Sequence, residues 1–272
     1  MAMRPFGLQN TGVICYFNSL IQGLISCPEF VSAIKRHASS DNEVAVTFAA
    51  FLDHAKNTTA PVITANPILQ QIVKTHKFFG RQQEDASEGF DLLLEKLGDN
   101  ISKVFESKWR VDVYCDTCND LVSNTVDTMN RLIMERKYIT LEHNGFTGYV
   151  SANMSQFDDY SCAKCGKKEV RGMKVTRLIE PPKIYAVSFN KFMSKWKDED
   201  YPYEMDVVYG YKEKKKKTYR LAAVIRHYGG RGGGHYTATG VRGSKAFEFN
   251  DASASESKFA PCANDYILFY TS

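Results

Sequence analysis

The chain has 272 residues, a formal net charge of +4, and 43% hydrophobic with 12% aromatic side chains, the range of a globular protein that folds alone and buries a full core in one large domain or two lobes. No apolar run approaches the roughly 20 residues needed to cross a bilayer, and Met1 to Gln9 lacks the basic patch and apolar stretch of a signal peptide. A soluble chain of the cytoplasm, the nucleus or both is expected, with no membrane partner.

In chain order, the pattern from about Gly12 to Gly98 is helical. Phe17, Leu20, Ile21 and Leu24 fall at i, i+3, i+4 and i+7, and Phe90, Leu93, Leu94 and Leu97 repeat that spacing. The first of these amphipathic helices should stop at Cys27-Pro28, and the second should begin near Asp85, where Asp85 and Glu88 have the spacing of a capping box. A further helix is expected over residues 44–54. From Lys108 the texture turns to strands: residues 109–114, 183–189, 219–227, 235–239, 246–249 and 266–271 are short, β-branched or aromatic, and bounded by Gly, Lys or Ser clusters. Helices first and strands later predict an α+β protein with a mainly antiparallel sheet. No repeat or low-complexity linker divides it. The basic run Lys212 to Lys217, interrupted by Glu213, reads as a solvated loop in preference to a nucleic-acid patch.

Four of the seven cysteines form two tight pairs, Cys115/Cys118 and Cys162/Cys165. Thiolates two residues apart on a turn can face one ion, and two such turns complete the tetrahedral shell of a structural zinc. Residues from about Val113 to Lys168 would then fold back as a β-ribbon projecting from the sheet. Cys27 and Cys262 read as small buried hydrophobes.

Cys15 follows Asn10-Thr11-Gly12-Val13-Ile14 and opens the first helix, where free backbone N–H groups and the helix dipole favour a thiolate. A buried structural cysteine fits that context equally well. Far downstream, Gly232-Gly233-Gly234-His235-Tyr236 enters a strand, and Phe249-Asn250-Asp251 ends the next one. A base must reach the thiol and a third polar group must orient the imidazole; this arrangement offers both. The glycines do not make a phosphate loop, since no Lys-Ser/Thr follows and a strand comes next.

Together these blocks resemble a family. Gly7-Leu8-Gln9-Asn10-Thr11-Gly12-Val13-Ile14-Cys15-Tyr16-Phe17-Asn18-Ser19-Leu20-Ile21-Gln22 is similar to the Cys box of the ubiquitin-specific proteases, and Gln83-Glu84-Asp85-Ala86-Ser87-Glu88 to their second box. Residues 223–229, Gly234-His235-Tyr236-Thr237-Ala238 and Phe249-Asn250-Asp251 are similar to their His box, and residues 266–270 to their closing strand. The blocks run in the family's order from residue 6 to residue 270.

The resemblance implies a papain-like cysteine protease fold in a single catalytic domain: a helical thumb over about 5–107, zinc-ribbon fingers over 108–180 and a palm carrying the His box over 181–272. It also implies a cysteine-type ubiquitinyl hydrolase. Cys15 would attack the carbonyl at the C-terminal glycine of ubiquitin or a ubiquitin-like modifier to give a thioester that water hydrolyses. His235 would be the base, Asn250 its orienting partner with Asp251 as an assistant, and Asn10 the oxyanion donor beside the Cys15 N–H. Asp85 would bind the modifier's tail, although it can equally serve as a helix cap. Tyr236 and the glycines before His235 would line the channel for the Gly-Gly end. Cys115, Cys118, Cys162 and Cys165 would hold a structural zinc at the tip of fingers that cradle the modifier, and the chain would work as a monomer without nucleic acid.

Departures exist: Val13-Ile14 replaces the usual Asn-Thr, and Ser87-Glu88-Gly89 stands where His-Glu-Phe is usual. Two other readings compete: a catalytically weak or inactive ubiquitin-binding pseudoprotease, hinted at by Val13-Ile14, and a zinc-ribbon nucleic-acid binder built on the CxxC pairs and the lysine run.

Overall fold

The computed structural model describes residues 3–76, 82–134, 145–190, 201–230 and 233–272. Helices come first, as the periodicity predicts. After a two-residue strand β1 (Gly7–Leu8) the chain forms α1 (Cys15–Leu24), α2 (Pro28–His37), α3 (Glu43–Asn57), a short β2 (Val62–Ile63) parallel to β1, α4 (Asn66–Thr75), α5 (Ala86–Leu97) and α6 (Asp99–Ser102). Asp85 caps α5 and Asn42 caps α3, each side chain accepting from first-turn N–H groups. Pro28 does more than end the first helix: it opens α2, and Pro67 sits in the first turn of α4. A proline is tolerated there because its missing N–H would have no helical partner.

The remainder is mostly strand: β3 (Ser107–Cys115), β4 (Leu121–Met129), β5 (Leu132–Met134), a short α7 (Gly145–Tyr149), β6 (Ala152–Tyr160), β7 (Val170–Glu180), β8 (Ile184–Phe189), β9 (Glu204–Tyr209), β10 (Lys215–Gly230), β11 (Gly233–Arg242), β12 (Lys245–Asn250), β13 (Ser253–Ser257) and β14 (Asp265–Thr271). One sheet runs β13-β12-β11-β10-β14-β8-β5 with β9 also on β10, antiparallel except for the β5–β8 pair. The α+β class is therefore observed.

Alternation along the central strands divides the core. Ile225, Ile267, Phe269 and Ala186 pack with the helices, whereas Val224, Leu268, Tyr270, Tyr185 and Val187 fill a second core on the other face. Both faces are covered, so these strands read as near-continuous apolar runs. Helix α1 is buried along its whole length and lies across β11 and β10.

A separate antiparallel sheet, β4-β3-β7-β6, carries the paired cysteines. It has four strands where a ribbon was expected, because β4 and β6 flank the inner pair. The lysine run is a loop only in its first half, residues 212–214. Lys215 begins β10, Lys216 pairs with Asp206 at 2.6 Å, and Lys217 Nζ donates to Pro182 O at 2.9 Å. Among the described residues no helix is long and apolar enough to cross a membrane.

Candidate active site

Cys15 is the first residue of α1, and Ile14 before it gives no side-chain cap. The first-turn N–H groups and the positive helix end thus lie beside the thiol, a setting that favours its anion. The residue is only 4% exposed. Of the unusual pair before it, Val13 turns to solvent and Ile14 is buried.

His235 arrives from β11, and Asn250 ends the neighbouring β12. The register Ala238↔Phe249 carries Asn250 to a position two residues from His235 on the same face of the sheet, within reach of a diagonal pair. His235 Nε2 lies 2.7 Å from Asn250 Oδ1. An amide oxygen only accepts, so Nε2 carries the proton and Nδ1 keeps the lone pair a base needs. The Cys15 Sγ has a different neighbour, Gln83 Nε2 at 3.6 Å. Among the described residues no thiol–imidazole hydrogen bond closes the set.

Asp251 is not bonded to the imidazole it was expected to assist. It occupies a left-handed position, φ 46°, in the two-residue turn between β12 and β13, and its carboxylate accepts from Asn10 Nδ2 at 2.9 Å and Asn18 Nδ2 at 2.8 Å. The strand β1 lies hard against this turn. Leu8 N donates to Asp251 O at 2.7 Å, and a Cβ on Gly7 would stand 2.0 Å from Ala252 O, so only glycine fits. Asn10 is thereby held beside the loop that precedes Cys15, its Oδ1 accepting from Gly12 N at 2.9 Å. One Nδ2 hydrogen serves Asp251, and the other has no acceptor among the described residues.

Asp85 is engaged on both oxygens. It accepts from Ser87 N at 2.7 Å and Glu88 N at 3.3 Å as the α5 cap, and Tyr266 OH donates to it at 2.7 Å. Tyr236 is 4% exposed and packs on His227 with ring centroids 4.4 Å apart, close enough to Asp85 and Cys15 to feel their charge. Of the glycines before His235, Gly234 is forced, since a Cβ would meet Tyr228 O at 2.3 Å; Gly232 lies outside the described residues. Asn18 and Gln83 received no role from the sequence. The signal for Asn18 was a polar residue on the apolar face of α1, where it is 2% exposed.

The two CxxC turns are built alike. Cys115 N donates to Asp120 O at 3.1 Å and Asn119 N to Cys115 O at 2.8 Å; Cys162 N donates to Lys167 O and Gly166 N to Cys162 O, both at 2.9 Å. The fifth residue of each turn, Asn119 at φ 55° or Gly166 at φ 71°, is left-handed. All four Sγ atoms lie within 4.8 Å of one another, and Cys118 and Cys162 are 3.9 Å apart. A tetrahedral ion with bonds of about 2.3 Å has sulfur–sulfur edges of roughly 3.8 Å. The group can therefore hold a metal ion. Backbone N–H groups of Cys118 and then Thr117 pull the Cys115 thiol down to about 7, toward the ligating thiolate.

A family model described as ubiquitin carboxyl-terminal hydrolase matches residues 6–270. The chain is 26% identical over 310 residues to ubiquitin carboxyl-terminal hydrolase 36 of Drosophila ananassae, covering 97% of this chain and 28% of that protein. Against the protein of the same description from Drosophila virilis it is 26% identical over 312 residues, covering 97% and 25%. The chain thus spans little more than a quarter of the length of these curated relatives. Among solved structures it is similar to the SAGA Ubp8/Sgf11/Sus1/Sgf73 DUB module bound to ubiquitin aldehyde, with TM-score 0.77, 18% identity, and 98% of this chain and 69% of that one covered. A second structure of that module, with a Ubp8 variant bound to monoubiquitin, gives TM-score 0.77 and 20% identity, covering 98% and 68%. The fold is shared.

Proposed function

The chain belongs to the ubiquitin carboxyl-terminal hydrolase family, and from that premise we propose that it hydrolyses the isopeptide or peptide bond after the C-terminal glycine of ubiquitin or a ubiquitin-like modifier through a thioester on Cys15. The observation that carries the reading is the 2.7 Å bond between His235 Nε2 and Asn250 Oδ1, which leaves Nδ1 with the lone pair that a base for the helix-initial Cys15 thiol needs. His235 takes the Cys15 proton as Sγ adds to the carbonyl, and returns it to the leaving amine as the tetrahedral adduct collapses. Water then adds to the thioester with the same base. The free N–H of Asn10 and the Cys15 backbone N–H stabilise the oxyanion, and Asp251 holds Asn10 in place.

The remaining assignments follow the same reading. Residues 5–107 serve as thumb, 108–180 as fingers and 181–272 as palm, with β5 of the middle segment joining the palm sheet. Cys115, Cys118, Cys162 and Cys165 take zinc, whose contribution is structural because four thiolates leave no open position. Ubiquitin, to which the similar Ubp8 modules are bound, is the proposed partner. The protein acts as a monomer in the cytoplasm or nucleus, without nucleic acid. Asp85 contributes to the tail site mainly by fixing the start of α5 and Tyr266.

The test is a ubiquitin bearing a C-terminal electrophile. One adduct is expected on the wild-type chain and none on Cys15→Ala, read by intact mass. No adduct with ubiquitin or any ubiquitin-like counterpart sinks the proposal.

A further inference from the structure

Deepening the reading above, and resting on it for the identity of the substrate, we infer that the Gln83 side chain is an internal latch that occupies the substrate-tail position of the cleft in the free protein. Gln83 stands on the helical side, two residues before the α5 cap; Gly234 stands on the sheet, next to His235. Gly234 N donates to Gln83 Oε1 at 2.9 Å, and Gln83 Nε2 donates back to Gly234 O while lying 3.6 Å from Cys15 Sγ. One carboxamide therefore joins the segment before α5 to β11 and lies against the thiol, in keeping with the 4% exposure of Cys15.

The chemistry of that pairing identifies what it stands in for. A carboxamide offers the same N–H and C=O as one peptide unit, and it takes both backbone groups of one residue, as an added β-strand does. Among the described residues no other strand pairs with the edge it takes. Strand β12 pairs with β11 only from Ala238 to Arg242, so among the described residues no strand lies on that side of β11 between Gly233 and Thr237. An extended tail adding to this edge would run past Gly234 and His235 toward Cys15. The neighbouring Gly233 makes room for Gln83, since a Cβ there would stand 3.2 Å from Gln83 Oε1, and a tail on this edge would use the same space. The tail must displace the carboxamide, so cleft opening and substrate pairing are one exchange of hydrogen bonds.

Alkylation of Cys15 by iodoacetamide, read by mass, tests the latch without ubiquitin. Gln83→Ala is expected to raise the second-order rate roughly five- to thirty-fold, the factor of one to two neutral hydrogen bonds lost. Gln83→Met, of similar length but without the amide that donates to Gly234 O and accepts from Gly234 N, is expected to move the rate the same way and decides the matter if the alanine variant loses melting temperature. In the wild type, hydrogen exchange should show a protected Gly234 amide that becomes unprotected in either variant. Wild-type alkylation rates in both variants, or a Gly234 amide exchanging at the unfolded rate in the wild type, overturn the latch. Faster alkylation in a chain that forms no ubiquitin adduct would keep the latch and remove the substrate reading.

Discussion

The two cysteine sites are assembled over very different stretches of chain. Each half of the four-cysteine group is a self-contained turn, closed by its own backbone bonds from Cys115 to Asp120 or from Cys162 to Lys167, and the β3–β7 pairing brings the halves together. The cleft, by contrast, gathers single residues from the N-terminal loop, the start of α1, the segment before α5 and the β11–β12 hairpin. Four thiols that already face one point gain most from an ion. One thiol that depends on distant partners gains most from their alignment. Loss of the ion should therefore unfold one end of the molecule and leave the other intact, whereas a single changed partner should silence the cleft and leave the fold intact.

Metal removal is the largest expected effect. Structural zinc sites in small peptides are worth about 10 to 16 kcal/mol, so a chelator, or Cys118→Ser, should leave the amides of the two CxxC turns unprotected in hydrogen exchange. Cys15 should still react with a small alkylating agent. If both regions lose protection together, the sites are not independent.

Next comes Asn250→Ala. Without the amide oxygen the imidazole loses its fixed tautomer, and kcat on a ubiquitin C-terminal amide should fall by about 10² to 10⁴, while KM and melting temperature hold. An unchanged kcat would remove Asn250 from the mechanism. Asp251→Ala should release Asn10 and Asn18 together. Its expected cost approaches the roughly 10²-fold loss of an oxyanion donor, and Asn10→Ala in the same background should add little. Full additivity would show that Asp251 does not act through Asn10.

The smallest effect belongs to Asp85→Ala, about 1 to 2 kcal/mol of stability from the lost cap and the Tyr266 bond. Denaturant midpoints for it and Tyr266→Phe should separate the two parts. A change in KM far beyond the stability loss would instead make Asp85 a direct tail contact.

The same contrast governs what the sequence made legible. The CxxC turns could be read from spacing because the bonds that close them, Cys115 to Asp120 and Cys162 to Lys167, each span six residues. Helices α1 and α5 were legible from apolar periodicity, but α2 and α4 were hidden by Pro28 and Pro67, which look like stops until they are seen as helix openers. Strands β4 and β6 are half or fully exposed for most of their length, and so lack the apolar alternation that marks a strand. In the cleft, Cys15, His235 and Asn250 carried their chemistry in their residue types. Asp251 did not. Adjacent residues beyond a strand end diverge, and only the left-handed turn at Asp251 reveals that its carboxylate serves Asn10 and Asn18. Gln83 was likewise illegible, because its partner Gly234 is 151 positions away.

The central claim is a covalent thioester on Cys15, and acid quenching during hydrolysis of a ubiquitin C-terminal ester tests it most directly. The account predicts a transient species of the chain plus ubiquitin, mapped by peptide mass to Cys15, cleaved by hydroxylamine and absent from Cys15→Ala. Hydrolysis that persists in Cys15→Ala, or an adduct that maps to another cysteine, would contradict it.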